Sequence, residues 1–459
     1  MRKFKPTPWL TDALGALMVR GVGIGLIFVS TTVSARLLEP TEYGTYSAAL
    51  SLAMLLATLA PLGMDRVLTQ RIATIGRNDD AALDISLTHA ATTVVSMLIL
   101  AIAVVLSLIS GIAFHNRQWA TVVMSGAALS VPFTATYLRQ WIAIPLIGAR
   151  RAIVPEQTLL PLLFTIAILT LAALGTKPNS MIATTIHFFA TLVIFVATVR
   201  MSSLRGRYVA AWKTVPSIHW TDLIDRILMG LPFAAVSVGG ILSRASMPLA
   251  VAAACGFKLS ACFSLAMPYA TLPGIPLGIF NMSLIPQCAR HFQRGEFQEA
   301  NQSVRSAATI TFAIACCTSL IIWICCPWLV LVLGEDYVAV CQILPILLLA
   351  AMVDCLTGPT IPVMQTMGME SFYTRVLLAF LPFQLGLVYA VGRVYGLMGV
   401  AVAYLIARCI WNSIIVLQIY RDRGLVMLPL LRISKSIFSA STGFPPEDNL
   451  NTVETIERQ

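Results

Sequence analysis

Charge is what this chain has least of. Only 11% of its 459 residues are Asp, Glu, Lys or Arg, against about a quarter in an average soluble domain, which excludes a solvated globular surface over most of its length. The most polar stretches are one central segment and the C-terminal end. No cysteine precedes Cys255, and none of the ten shows a C-x-x-C spacing. The cysteines therefore read as small packing residues in helices rather than as metal ligands or a redox centre. Polar-apolar alternation, the mark of barrel strands, is missing as well. What is present is 58% hydrophobic residues and a mean hydropathy of +0.82, gathered in runs of about twenty residues that can each cross a hydrocarbon core. The chain is an all-α integral membrane protein.

The apolar runs place twelve helices, at 13–34, 46–64, 86–112, 120–147, 154–175, 181–199, 227–250, 257–284, 304–331, 341–364, 372–391 and 396–419. Residues 1–12 precede them, 200–226 form a polar connector between two six-helix lobes (13–199 and 227–420), and 421–459 form a tail whose composition predicts disorder. The net charge of +10 sits in short loops and not in one basic domain, so it speaks for membrane orientation and against nucleic acid. With the N-terminus inside, 22 basic residues fall on inner segments and six at outer ends, which predicts an N-in, C-in chain with an even number of spans. The first helix, with basic residues before it and Val33-Ser34-Ala35 behind, imitates a cleavable leader. Arg20 interrupts its apolar region, and its removal would leave the first lobe one helix short, so it reads as a retained span.

The sequence repeats. SAALSLAM at Ser47–Met54 returns as SACFSLAM at Ser260–Met267. Gln70 and Arg77 match Gln287 and Arg294, and Ile144-Pro145 matches Ile361-Pro362, all 217 residues apart. An even number of spans separates the copies, so they are parallel repeats about an axis along the membrane normal.

A charge at the centre of a spanning helix costs about 2.5–3.5 kcal/mol and needs a partner, a water-filled cavity or a snorkelling route. Arg20, Arg139, Arg244 and Arg408 are the candidates, with Asp354 the clear acid among them. Arg20 lines a cavity or snorkels to inner headgroups. Arg139, beside Trp141, lies deep for snorkelling. Arg244 lines the cavity or reaches outer phosphates, and Arg408 contacts cargo or pairs with Asp354. Asp354 reads as that ion-pair partner, as a coupling residue for H+ or Na+, or as a solvated cavity residue. A cavity lined by arginines suits a diphosphate and disfavours a cationic drug. His187 reads as a hydrogen-bonded packing residue or a titrating group. Gly21, Gly23 and Gly25 predict a close helix contact in the first span, and Pro268, Pro273 and Pro276 a bend in the eighth. No cofactor or metal is expected.

Arg36-Leu37-Leu38-Glu39-Pro40-Thr41-Glu42-Tyr43-Gly44-Thr45-Tyr46-Ser47 resembles the first external loop of the polysaccharide transport family, the Wzx-type O-antigen and exopolysaccharide flippases of the multidrug/oligosaccharidyl-lipid/polysaccharide exporter superfamily. Gly230-Leu231-Pro232 and the Ser-Ala-rich helix after Gly256 are similar to the same family's motifs, and the likeness covers residues 10–420. Glu39 stands where relatives have Gly, and Ser243-Arg244 where many have Asp-Arg. The resemblance implies a MATE-like pair of lobes with alternating access. It implies a polyprenyl-diphosphate-linked oligosaccharide as cargo, membrane lipids around the protein and polysaccharide assembly machinery as partner, and no enzymatic activity. The competing readings are a cation-coupled multidrug exporter, a lipid II flippase and a membrane glycosyltransferase or polymerase. The last would carry catalytic acids in a large outer loop.

Overall fold

The computed structural model describes residues 8–75, 80–113, 117–201, 206, 219–278, 280, 284, 288, 290–291, 294, 296–360, 363–364, 367–425 and 427–429. Among them every regular element is helical. The first half contains α1 (Pro8–Leu37), α2 (Pro40–Leu59), α3 (Met64–Ile75), α4 (Asp80–Ala113), α5 (Arg117–Ile147), α6 (Ala149–Val154), α7 (Leu160–Ala173) and α8 (Ser180–Met201). The second contains α9 (Trp220–Ala245), α10 (Met247–Cys255), α11 (Phe257–Thr271), α12 (Phe297–Leu333), α13 (Val338–Thr357) and α14 (Glu370–Arg423). Most of the expected connector and all of 430–459 lie outside the described residues.

Among the described residues, eight helical stretches are long and apolar enough to cross a membrane. The last, Ser371–Asp422, holds two expected passes, because Gly396 adopts φ 62°, ψ −151° in its middle, a conformation open to glycine and not to L side chains. The expected passes at 46–64, 227–250 and 257–284 correspond to α2, to α9 with α10, and to α11, which are helical but shorter or more polar. Pro248 lies in the first turn of α10 and separates it from α9, since proline cannot donate to the preceding turn. The predicted bend after α11 is found at the tighter turn Leu272–Gly274, around Pro273. The close contact predicted on α1 belongs to Gly23 alone: a Cβ there would lie 2.5 Å from the Gln157 carbonyl oxygen, while Gly21 and Gly25 have open space.

The internal repeat is written into the helix starts. Pro40 and Phe257 open α2 and α11, Asp80 and Phe297 open α4 and α12, and α8 opens at Ser180 where the second arm of α14 follows Gly396. Each pair is offset by the 217 residues that also separate Ser47 from Ser264. Those two serines hydrogen-bond to each other, Oγ to Oγ at 3.1 Å. Two equivalent residues meet when they lie on the axis that relates the copies. The octapeptides aligned letter by letter would instead set Ser51 opposite Ser264, one helical turn away.

The described chain forms two compact units, Met1–Leu272 with Leu320–Leu349 and Glu370–Ala407, and Pro273–Ser319 with Ala350–Met369 and Arg408–Gln459. Three of their five boundaries fall inside α12, α13 and α14, so the units cut across the two sequence halves. The first unit has a continuous core that includes Tyr43, Tyr46, Phe263, Leu265, Tyr337 and Leu344. Its α2 and α11 cross at Gly44, where any Cβ would collide with the carbonyl group of Phe257. Nearby, the Tyr337 hydroxyl donates to Ala35 O (3.0 Å) and Arg36 Nη1 to Leu333 O (3.2 Å), so the turn between α12 and α13 holds the end of α1. In the second unit, Cys355 Sγ donates to Pro273 O and Gly358 packs on Ala308.

One pair of cysteines departs from the packing role expected of them all: Cys326 and Cys341 form a disulfide across the turn, with Cα atoms 5.8 Å apart. Denatured protein alkylated without reductant should take up eight labels, one for each free cysteine, and ten after reduction. Mass spectrometry checks this, and ten labels without reductant would remove the bridge.

Candidate functional site

Arg139 lies in the last third of α5, inside an apolar run that leaves its guanidinium no water. It is 1% exposed. The chain turns at Gly148, returns through α6, and at Pro155–Leu159 widens into a π-helical turn before α7. That turn presents Glu156. Arg139 Nε donates to Glu156 Oε1 (3.0 Å), and Nη2 to Oε1 (2.6 Å), Oε2 (2.7 Å) and Ala152 O (2.6 Å). Such a fork answers both the charge and the donors of the arginine. Glu156 was legible as an acid at the head of a predicted span, and its nearness to Arg139 was not, since 17 residues and a reversal separate them.

In the second unit Asp354 stands against the Arg408 guanidinium. Arg408 Nε donates to Asp354 Oδ1 at 3.0 Å and Arg408 Nη2 reaches Oδ2, while Asn412 Nδ2 donates to the same Oδ1 at 2.7 Å. Asn412 Oδ1 accepts from Thr357 at 2.8 Å. Arg408 and Asn412 stand one turn apart on α14, so both face the carboxylate on α13. Side-chain exposures of 23% for Arg408 and 29% for Asp354 leave the pair partly open, unlike Arg139.

Arg20 and Arg244 behave differently from these two. Both are exposed, on α1 and in the last turn of α9, and neither has a hydrogen-bond or ion-pair partner among the described residues. Of the predicted set, Arg408 meets Asp354, Arg139 meets Glu156, and Arg20 and Arg244 are unpaired among the described residues. His187 is buried, its Nδ1 2.8 Å from the Tyr46 hydroxyl and its ring against Phe164 and Phe133, the arrangement of a packing histidine. A cleft of about 420 Å³ in the first unit lies between Gln118, Trp119, Phe257 and Arg393, away from every one of these groups.

Two polar groups were not anticipated. Arg226, expected in the connector, lies in α9, 3% exposed and paired with Asp84 of α4, which also accepts from Arg71 Nη1 at 3.2 Å. Asp65, at the start of α3, is 1% exposed and accepts a hydrogen bond from the Tyr137 hydroxyl at 3.2 Å. Each sits just beyond the end of an apolar run, where hydropathy alone assigns a side chain to a solvated loop.

A family model described as polysaccharide biosynthesis protein matches residues 10–292. Among curated proteins none matches the sequence. An inward-facing multidrug resistance MATE family transporter of the MOP superfamily is similar over 90% of this chain and 98% of its own, with TM-score 0.72 and 14% identity. An outward-facing one is similar over 92% and 99%, with TM-score 0.56 and 14% identity. A MOP superfamily transporter from Pyrococcus furiosus, described as having a binding pocket of reverse polarity that suggests a different function, is similar over 92% and 99%, with TM-score 0.57 and 13% identity. At these identities the likeness shows a shared fold, with about twelve membrane passes in two repeated lobes.

Proposed function

Because the chain belongs to the polysaccharide biosynthesis protein family, whose model it matches over residues 10–292, we propose that it carries a polyprenyl-diphosphate-linked oligosaccharide from the cytoplasmic to the outer leaflet of a bacterial inner membrane. The N-terminus and C-terminus would lie inside, as the loop charges favour. The sugar and diphosphate cannot cross hydrocarbon unaided, while the prenyl tail can stay in lipid. The protein must therefore offer the headgroup a polar, positively charged route.

The observation that carries this reading is the state of the four arginines. Arg139 and Arg408 are neutralised by Glu156 and Asp354, which favours a part in holding helices together over one in cargo contact. Arg20 and Arg244 are exposed and unpaired among the described residues, and a diphosphate is the anion such guanidinium groups bind best. Exporters of cationic drugs need the opposite sign. O-antigen or exopolysaccharide repeat units, and their assembly machinery, fit the family as cargo and partner.

Deletion in the native host should abolish the surface polysaccharide made from the cargo, and the wild-type gene should restore it. The double substitution Arg20→Ala, Arg244→Ala should lower leaflet-to-leaflet transfer of the lipid-linked glycan in proteoliposomes roughly tenfold or more, as expected for losing charged hydrogen bonds. Normal polysaccharide in the deletion strain, together with altered drug tolerance, would overturn the reading in favour of a multidrug exporter.

A further inference from the structure

Two carboxylates are fully buried among the described residues, and they are treated differently. Asp84 lies against Arg226 and Arg71. Asp65 has no cation at ion-pair distance; the Tyr137 hydroxyl donates to its Oδ2, and its Oδ1 is buried without a hydrogen-bond partner. Glu156 and Asp354 are also matched by guanidinium groups. A carboxylate sealed from water with no cation at ion-pair distance is disfavoured in its charged form, and a protein relieves this by letting the group take a proton.

The neighbours narrow what else could fill the place. The Arg66 guanidinium carbon lies 4.6 Å from the centroid of the Trp141 ring, and Arg66 Nε and Trp141 Nε1 are likewise buried and without partners. Tyr137 and Trp141 stand one turn apart on α5 and face α3. With Arg66, Tyr137 and Trp141 all presenting donors and one carboxylate presenting oxygen, a metal cation would lack the several oxygens it requires. A proton requires one.

The backbone before the carboxyl is strained. Leu62 adopts φ +47°, a left-handed conformation unfavourable for a bulky L residue. This elbow between α2 and α3 is pressed on α9, where a Cβ added to Gly230 would lie 2.6 Å from Leu62 O. Asp65 therefore stands in the first turn after the one irregular joint between these helices.

We propose that Asp65 is a reversible proton-binding site, and that its loading and unloading shifts the strained elbow at Leu62 against α9. On loading, Oδ1 takes a proton from hydronium and water leaves; unloading returns the proton to water. This goes beyond the cargo reading, since it concerns a bound proton and needs no cargo to be measured.

Arg66 on its own helix and Tyr137 on α5 act on it directly; of the other helices packed on α3, α4 carries the buried Asp84 and His89, and α9 the buried Arg226. Burial pushes the Asp65 carboxyl above its ordinary value; Arg66, Tyr137 and the amides of Arg66 and Asp65 oppose that without cancelling it. The folded protein thus holds this proton to higher pH than the unfolded chain. Asp65 therefore makes folding stability fall as pH rises through the interval between the two values.

The test is difference infrared spectroscopy of the full chain in lipid, from acidic to alkaline pH. Wild type should lose a protonated-carboxyl band on alkalinisation, and Asp65→Asn should lack that band while Asp354→Asn keeps it. Tyr137→Phe removes a donor to the charged form and should move the band's midpoint up by about one pH unit. If Asp65→Asn does not fold, the midpoint in Tyr137→Phe decides alone. A band that persists in Asp65→Asn, a midpoint unmoved in Tyr137→Phe, or a band that answers to sodium at fixed pH would each overturn the proposal. None of these outcomes bears on which molecule is transported.

Discussion

Glu156→Ala should be among the most damaging single substitutions in the protein, at about 3–5 kcal/mol. The loss is not the worth of the Arg139–Glu156 attraction, which is largely offset by the desolvation of both charges. It is the cost of leaving Arg139, 1% exposed, with four donor contacts reduced to one carbonyl, that of Ala152. Arg139 has no short route to either membrane surface along α5. Denaturant unfolding in detergent and the yield of monodisperse protein measure the effect. The double substitution Arg139→Met, Glu156→Leu should recover most of the loss, because it removes both charges and keeps the volume. Recovery would show the pair to be structural. A double variant that folds but fails to transport would return Arg139 to the cargo route.

Gly44→Leu should be comparably severe for a different reason. The carbonyl group of Phe257 occupies the space where a Cβ would stand, and backbone cannot move aside as a flexible side chain can. Overpacking a rigid contact costs about 1–3 kcal/mol or more, here at the crossing of α2 and α11 that the core of the first unit is built around. Thermal unfolding should show the destabilisation, and the variant should fail to restore polysaccharide in a deletion strain. Gly21→Ala is the matched control: nothing lies within 4 Å of the new methyl, so it should be neutral or add up to about 1 kcal/mol of helix stability. Equal behaviour of the two variants would mean that α2 and α11 do not approach as closely as described.

What could be read from the residues was what depends on local pattern. Runs of apolar side chains gave the passes, because each span must satisfy its own backbone in lipid and so declares itself along the sequence. The repeat was legible because its matches, Ile144-Pro145 with Ile361-Pro362 among them, share one offset, and the helix starts keep the same offset. Arg408 with Asp354 could be named as one alternative since each is a lone charge in an apolar run. Glu156 escaped because it follows Pro155 at the margin of a span, where an acid excites no suspicion, and because its partner is reached only through the reversal at Gly148. Arg226 and Asp65 escaped for a related reason: they lie past the ends of apolar runs yet are buried by other helices, which hydropathy cannot see. The Cys326–Cys341 bridge left no signal either, since its 15-residue separation is set by the turn between α12 and α13 and not by a motif.

The hydrogen bond between Ser47 and Ser264 joins a residue to its own counterpart, as happens on the diad of a homodimer. Two separate copies of one half would have to carry the same side chain on both sides of that diad, so that any change made for one copy is imposed on the other. Fusion into a single chain lifts the obligation. Tyr137 and Asp354 stand at counterpart positions, 217 residues apart like Ser47 and Ser264, and they have parted ways: one half keeps a phenol beside a carboxyl without a counter-ion, the other a carboxylate locked by a guanidinium. Joined halves can thus divide between them labours that paired twins would have to share.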